Sequence, residues 1–423
     1  MTLRAQAHPP RPHPMPFDFE SPPVQDGQRL HDTGAPSRWC VTLQDLIDFR
    51  SLVKKHVDEG RIVPTELDRF DPHDTCIGPC VHTVAKQLIV PVTEKAGNTS
   101  WALMLHPGGL ECDLFVTHGW AEGIYEFIDK VLNSWPRGAR HAYCCMLSNP
   151  QNLDIGDLLS IPRESPFALA LMSARYMLVV PNSKCSIYSR IWCAYEAYIA
   201  YSESKFIFVA KPPLKGVLNH VCLLLALSFV TAIGSFALYM KGAYFGFLGH
   251  LGGMIADFAL FCVMLQSFLR ASRAVQVVTH LAAVFGGMYV GYSVVAFARE
   301  RSYRELADVA RAFILCVSVA MAEADLLWSR QSVEEARNLR REFTGDLRDA
   351  KSSVESDREK ILSELELFGQ EHRVNLAIEV LLTSGMSTPA LQAAAENVGL
   401  LEHAGYWSLS ITSMIWVSWV SQS

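Results

Sequence analysis

This sequence of 423 residues has no excess of basic side chains. It carries 37 Lys and Arg against 43 Asp and Glu, a net charge of −6. Proteins that bind nucleic acid usually present a basic face, so we expect no nucleic acid among its partners. Charged residues make up only 19% of the chain, and the mean hydropathy of +0.16 is high for a soluble protein. The length allows two or three domains, and the hydropathy predicts that one of them contains membrane-spanning segments.

The first 23 residues also lack the apolar run of a secretory signal, and they contain seven of the 21 prolines. We therefore predict a disordered, Pro- and His-rich leader over residues 1–40. An irregular or helical extension is expected to follow over residues 41–110. Within it, apolar spacing over residues 42–57 predicts a helix that Thr42 caps.

The eleven cysteines form no disulfide framework, since they are odd in number and scattered through apolar segments. This pattern is typical of a reduced, cytosolic compartment. Cys76, Cys80 and His82 are spaced as metal ligands can be, but no second pair of suitable spacing follows them. We interpret them as packing residues and expect no metal site.

Between residues 111 and 211, short apolar runs alternate with helical stretches. The predicted strands are residues 112–118, 141–147, 175–181 and 205–210. The predicted helices are residues 121–133, 166–174 and 189–201, of which the second begins at Ser165 and Pro166 with a capping serine and a first-turn proline. This alternation predicts an α/β domain with a parallel sheet that is covered on both faces. A further strand at residues 87–92 or 101–105 is expected to complete the sheet.

Charge is nearly absent from three long runs that follow this domain. Residues 216–240 and 274–298 contain no charged side chain, and residues 242–269 contain only Asp257. Each run exceeds the ~18 residues that a bilayer-spanning helix requires. With a weaker candidate at residues 306–328, they predict an α-helical transmembrane bundle of three to four helices over residues 216–328. The balance of Lys and Arg places the α/β domain and the C-terminal helix on the cytosolic side of the membrane.

The region beyond the predicted bundle is charged and helical in character. Apolar residues recur at heptad spacing within residues 331–371, at Leu347, Val354, Ile361 and Phe368. This spacing favours either a short, imperfect coiled coil or an amphipathic helix that lies on a partner. Residues 372–423 are predicted to form a helical tail.

Three stretches of the α/β region resemble the Toll/interleukin-receptor homology (TIR) domain. They are CDLFVTHGW (residues 112–120), the stretch from residue 164 to residue 200 that contains SRIWCAYE, and KFIFVA (residues 205–210). The variant is similar to that of multi-span membrane proteins of unicellular eukaryotes. The resemblance implies a flavodoxin-like parallel sheet and signalling by self-association through this domain. Other TIR or coiled-coil proteins are further partners that it implies.

The resemblance also implies candidate site residues. In TIR domains that cleave the nicotinamide–ribose bond of NAD, the catalytic residue is the glutamate of the W-C-x-x-E stretch, which corresponds to Glu196 in this chain. Trp192 lies four residues earlier and shares its helix face, where its ring can stack on nicotinamide. Thr117, His118 and Tyr188 lie near the carboxyl ends of predicted strands and are candidates for substrate binding. NAD would then be a substrate, and we expect no resident cofactor.

Structural roles are the alternative for the same residues. Glu196 can cap the solvated side of its helix or pair with Arg190 or Lys205. His118 can be a hydrogen-bonded structural histidine, and Trp192 can belong to the core between helix and sheet.

Asp257 is a separate candidate because carboxylates inside a membrane are costly and often functional. His250 or His280 on neighbouring predicted helices can partner it. The alternative is a polar contact that holds the bundle together.

Three classes of function remain open from the sequence. The first is a membrane-anchored signalling protein that acts by self-association of a cytosolic TIR-like domain. The second is an NAD glycohydrolase that uses Glu196. The third is a transporter or channel with a regulatory α/β domain, against which the spans show no internal repeat and little polarity.

Overall fold

The computed structural model describes residues 18–393. The exceptions are residues 155, 183, 185–186, 214–215, 242–253, 255–257, 259–272, 302, 341–346, 353–354, 370 and 392. The chain divides into two compact units. Unit 1 comprises Met1–Pro213 and Glu334–Ala404, and unit 2 comprises Leu214–Val333 and Gly405–Ser423. The predicted leader falls outside the described residues up to residue 17, as do the end of the predicted tail and Asp257.

Short strands and helices alternate along the described chain. The strands are β1 (Val41–Thr42), β2 (Leu114–Thr117), β3 (His141–Cys144), β4 (Tyr176–Val179), β5 (Phe206–Val209) and β6 (Met386–Ser387). The helices up to the sheet's last parallel strand are α1 (Gly27–Thr33), α2 (Leu43–Asp58), α3 (Val81–Val84), α4 (Val90–Lys95), α5 (Trp101–Leu105), α6 (Ile124–Ser134), α7 (Cys145–Ser148), α8 (Pro166–Ser173) and α9 (Ile191–Ser202). The later helices are α10 (Val217–Met240), α11 (Arg273–Glu300), α12 (Tyr303–Arg340), α13 (Glu355–Phe368) and α14 (Glu371–Ser384).

The six strands of unit 1 form one mixed sheet in the order β1-β3-β2-β4-β5-β6. The four central strands are parallel, as predicted, and each lies within one of the four predicted runs. The prediction of a purely parallel sheet is wrong at the edges, where β1 and β6 pair antiparallel. Both edge strands have only two residues, too few to show the alternation by which a strand is recognised.

Helices cover both faces of the sheet, because neighbouring residues of each strand point to opposite sides. Leu114 and Val116 of β2 belong to a core that includes α2 and α6, whereas Phe115 belongs to a second core that includes α8 and α9. Four parallel strands in the order second, first, third, fourth, with helices on both faces, are typical of doubly wound sheets, in which ligands bind at the carboxyl ends of the strands.

The N-terminal extension is largely helical and packs against the first of these cores. The predicted strand at residues 87–92 is wrong, because a π-helical turn over Ala85–Ile89 runs directly into α4. The predicted alternative at residues 101–105 is the helix α5. Ala85, Leu88, Ile89 and Val92 are all buried, and their spacing of three and four residues is that of a helix face.

The start of α2 confirms Thr42 as the N-cap. The backbone N–H of Asp45 donates to Thr42 Oγ1 over 3.1 Å, and the N–H of Thr42 donates to the Asp45 carboxylate over 2.6 Å, which forms a capping box. Such reciprocal bonds satisfy backbone donors that the first helical turn leaves free.

Replacing Thr42 by alanine is therefore expected to lower the free energy of unfolding by about 1 kcal/mol. Urea unfolding of the full chain in detergent micelles, followed by tryptophan fluorescence, measures this loss. Thr33→Ala is the matched control, since Thr33 is exposed and lies outside any helix N-cap. Equal urea midpoints for the two variants would contradict the capping role.

The C-terminal helices of unit 1 pack on α9 and its neighbours. Ile361 and Leu365 of α13 are buried in the same core as Ile191 and Tyr195, and Tyr195 Oη donates to the Glu364 carboxylate over 2.7 Å. Of the predicted heptad positions, Ile361 thus faces the α/β core of its own chain. Val354 lies outside the described residues, so only part of the predicted coiled coil can be compared with the structure.

Unit 2 contains two helices that are long and apolar enough to cross a membrane, among the residues described. They are α10 and the part of α11 from Gln276 to Arg299, which match two of the predicted spans. The predicted span at residues 242–269 lies almost wholly outside the described residues. Residues 306–328 lie within α12, which is not one of these two helices.

Helices α10 and α11 approach each other closely through small residues. A side-chain carbon added at Gly287 would lie 2.2 Å from the Ser228 carbonyl oxygen, and one added at Gly291 would lie 2.4 Å from that of Ala232. Ser228 and Ser235 donate hydrogen bonds across the contact, to the Ala283 and Met288 carbonyls. Glycines four residues apart with hydroxyls beside them are typical of helix pairs in membranes.

Candidate functional site

The candidate site lies at the carboxyl ends of the parallel strands. Thr117 ends β2 and His118 follows it, while Cys145 directly follows β3. Val116 pairs with Cys144 in the parallel register of these two strands. The residues that follow each strand are therefore brought to the same edge of the sheet. This edge, where β2 lies between β3 and β4, is the point at which the strand order reverses.

Glu196 is brought to this edge by α9, the helix between β4 and β5. Only 7% of Glu196 is exposed, and its Oε2 makes no hydrogen bond with any described residue. Burial raises the pKa of Glu196 to about 7, although the Thr117 hydroxyl and the charges of His118 and Arg190 act in the opposite direction. Glu196 is thus neither on a solvated helix face nor, within the described part of the chain, in an ion pair.

Of the two basic residues considered as partners, Lys205 donates instead to the Met172 carbonyl over 2.5 Å. Arg190 is half-buried and influences Glu196 only as a nearby charge. A buried carboxyl group whose pKa lies near neutrality can hold or release a proton at physiological pH.

His118 lies between two other side chains. Its Nδ1 donates to Glu122 Oε1 over 2.7 Å, and its Nε2 lies 3.2 Å from Cys145 Sγ. Burial lowers the pKa of His118, but its interactions with Cys145 and Glu122 outweigh burial and raise that pKa to about 10. Burial raises the pKa of Glu122 to about 7. The hydrogen bonds agree with the structural interpretation of His118 and also give it the geometry of an acid–base group.

Tyr188 lies near Glu196. Its side chain is buried, and burial together with the nearby Cys193 and Glu196 raises the pKa of its hydroxyl. The structure therefore brings Thr117, His118, Tyr188 and Glu196 together at the carboxyl edge.

Trp192 makes its contacts with other parts of unit 1. Its ring packs against Phe167, with centroids 5.2 Å apart, and its Nε1 donates to Asp357 Oδ2 over 3.2 Å. Asp357 belongs to α13, so Trp192 lies between α8 and α13. Stacking of Trp192 on a nicotinamide ring at the carboxyl edge is not supported by these contacts.

Two residues of the site, Glu122 and Cys145, were missed by the sequence analysis. The spacing of His118 and Glu122, four residues apart in a segment between strand and helix, was a signal that they could meet. Cys145 was hidden because the predicted strand ran to residue 147, whereas β3 ends at Cys144. Because β3 ends before Cys145, this residue lies at the carboxyl edge of the sheet and not within the strand.

The described residues contain no group of three or more His, Cys, Asp or Glu side chains placed to hold a metal ion. The Cys80 thiol lies 3.3 Å from the Thr83 hydroxyl, and Cys76 is exposed.

No protein-family model matches this chain, and no match was found among curated proteins or solved structures. Its function is therefore inferred from the geometry of the site and from the resemblance of the quoted stretches.

Proposed function

We propose that this chain is a membrane-anchored signalling protein that acts by self-association of a cytosolic TIR-like α/β unit. The observation that supports anchoring is the short connection from β5, the last parallel strand, to the apolar helix α10, which begins at Val217. The close pairing of α10 with α11 through Gly287 and Gly291 is the packing expected in a bilayer. Lys205 and Lys211 precede α10 and favour a cytosolic position for the α/β unit.

Self-association is supported by apolar side chains exposed in the connection between β3 and α8. Leu158 and Ile161 are both exposed there. The loop SNPQNLDIGD (residues 148–157) directly precedes Leu158, and the TIR resemblance implies that the shape of this loop decides either assembly or substrate access. Burial of exposed apolar side chains is the main driving force for association.

A direct test measures association of the full chain in lipid vesicles. Copies labelled with donor and acceptor fluorophores are expected to show energy transfer that Leu158→Asp and Ile161→Asp each weaken by about tenfold in apparent affinity, since central apolar contacts carry most of the binding energy. Leu67→Asp is the matched control, because Leu67 is fully exposed in the N-terminal extension. Energy transfer that is absent from the wild type, or unchanged in both loop variants, would overturn the proposal.

Glu196 favours a second candidate function, cleavage of the nicotinamide–ribose bond of NAD. A carboxylate beside the reacting sugar can stabilise the positive charge that develops on its ring carbon and oxygen, as in glycoside hydrolysis. The position of Glu196 at the carboxyl edge and its pKa near 7 support this role. Because the carboxylate form is needed, activity is expected to rise as the pH passes through about 7.

Release of nicotinamide from NAD by the full chain in lipid vesicles tests this candidate. Glu196→Gln keeps the shape of the side chain but removes its charge, and it is expected to lower the rate by about 100-fold or more. Glu203→Gln is the control, since Glu203 directly follows the same helix and pairs with Arg163. A wild type without activity, or a Glu196→Gln variant as fast as the control, would exclude the candidate.

A further inference from the structure

Cys145, His118 and Glu122 form a continuous hydrogen-bonded chain that NAD cleavage by Glu196 does not require. Sγ of Cys145 lies 3.2 Å from Nε2 of His118, whose Nδ1 lies 2.7 Å from Oε1 of Glu122. The parallel register of β2 and β3 fixes the first contact, because His118 and Cys145 directly follow these neighbouring strands. The second contact is made within one segment, four residues apart, before α6 begins at Ile124.

The three side chains differ in their access to solvent. The side chains of His118 and Glu122 are 0% and 1% exposed, whereas Cys145 is only half-buried. Cys145 is therefore the least shielded of the three residues. The buried pair behind it cannot be approached from solvent and serves to hold and orient a proton.

A second N–H group also faces the sulfur. Nε1 of Trp120 donates to Cys145 Sγ over 3.3 Å. An indole N–H and an imidazole beside the same sulfur atom both stabilise negative charge on it. Two nearby cysteines lack this environment. Cys144 of β3 and Cys193 of α9 are buried, and burial raises the pKa of each thiol.

We propose that Cys145 is a nucleophile that accepts an acyl group from an activated ester or thioester. A nucleophile in hydrogen-bond contact with a base, which a third group orients, is the arrangement that covalent catalysis uses. This activity differs from the function proposed above in its reacting residue, in its bond changes and in its substrate class.

The reaction balances with the groups present. Because the pKa of His118 is raised to about 10, the thiol proton already rests on its Nε2 at pH 7 when Cys145 Sγ attacks the acyl carbonyl carbon, and a new C–S bond forms. The bond from that carbon to the leaving oxygen or sulfur then breaks, and His118 returns the proton to the leaving group. The products are an S-acyl cysteine and a free alcohol or thiol. Glu122 keeps the imidazole oriented and stabilises its charged form.

Acyl transfer fits this chain of groups better than disulfide exchange does. The leaving alcohol or thiol of an acyl donor needs a proton, which the His118–Glu122 pair can deliver, whereas disulfide exchange releases a stable thiolate. Disulfide formation would also need an oxidant. None of the described cysteines forms a disulfide.

The test uses 4-nitrophenyl acetate as the acyl donor, with the full chain in detergent micelles at pH 7. Peptide mass spectrometry follows acetylation of each cysteine in the same sample. Cys145 is expected to react about tenfold or more faster than Cys76, which is exposed and serves as the internal control. A stoichiometric release of nitrophenolate is expected to accompany acetylation and to disappear in Cys145→Ser.

Glu122→Gln tests the buried pair. It is expected to slow acetylation of Cys145 about tenfold without changing that of Cys76. Circular dichroism verifies that the variant is folded. If Cys145 reacts no faster than Cys76 in the wild type, the proposal is overturned whatever the variants do. If Cys145 is fast but Glu122→Gln leaves its rate unchanged in a folded protein, the role of the His118–Glu122 pair is overturned.

Discussion

Replacing Lys130 by methionine is expected to lower the free energy of unfolding by about 3–5 kcal/mol. Only 1% of the Lys130 side chain is exposed, and its Nζ lies 2.9 Å from the carboxylates of both Glu126 and Glu335. It also donates to the Pro181 carbonyl over 2.7 Å. Burial lowers the pKa of Lys130, but the two carboxylates outweigh it and raise that pKa, so the ammonium stays charged. Methionine would leave Glu335 buried without its cation.

The control is Lys54→Met, which removes a lysine from an exposed pair with Asp58. This change is expected to alter stability by about 0.5 kcal/mol or less. Burial also raises the pKa of Glu335. Because the stranded Glu335 can take up a proton, the loss caused by Lys130→Met is expected to be smaller at pH 5 than at pH 8. Urea unfolding at both pH values measures this, and equal losses in the Lys130 and Lys54 variants would contradict the buried ion cluster.

The second large effect is a dependence of stability on pH that comes from Glu196. Its pKa is about 7 in the folded chain against an ordinary value of 4.5. Between these values the folded state binds more protons than the unfolded state, so stability is greatest below pH 4.5 and falls as the pH rises toward 7. The shift corresponds to a loss of about 3 kcal/mol by pH 8.

Glu196→Gln is expected to abolish this contribution. The free energy of unfolding of the variant, relative to that of the wild type, is therefore expected to increase by up to about 3 kcal/mol between pH 4.5 and pH 8. His118 and Glu122 titrate in both proteins, and the difference between the two urea titrations isolates Glu196. Glu203→Gln controls for the loss of a carboxylate that is more exposed. A constant difference between wild type and Glu196→Gln from pH 4.5 to pH 8 would show that Glu196 is solvated.

The same substitution is expected to remove the NAD cleavage proposed above. A change that stabilises a fold while it removes an activity is typical of a buried functional group. A buried carboxylate with only a structural role would change the pH dependence of stability and leave NAD cleavage unaffected. Stability and activity thus test Glu196 independently.

The sequence predicted those parts of the fold that depend on neighbouring residues. The four central strands are short apolar runs, and Thr42 and Ser165 cap helices by contacts three residues away. What it could not predict depends on distant residues. Strand β6 is defined by its pairing with β5, in which Ile207 lies opposite Ser387, and this pairing is not visible in the local sequence. Gln87 and its neighbours were assigned to a strand because a short apolar run does not distinguish strand from helix.

The candidate site shows the same division. Thr117, His118, Tyr188 and Glu196 could be proposed as candidates because residues at strand ends and the W-C-x-x-E stretch are visible in the sequence. The contact of Cys145 with His118 depends on strand order and on where β3 ends. The contact of Trp192 with Asp357 joins residues 165 positions apart. The hydrogen bond from Trp192 Nε1 to Asp357 could therefore not be predicted from the position of Trp192 on α9.

The interleaving of the two units along the chain has a consequence for how the protein is made. Lys130 and Glu335 are 205 positions apart, and the whole of Leu214–Val333 is synthesised between them. A growing chain therefore carries an unfinished sheet, with the edge of β5 open, while α10 and α11 leave the ribosome. Closing so long a loop is slow compared with forming local contacts. The two apolar helices are thus synthesised in full before the α/β unit can close.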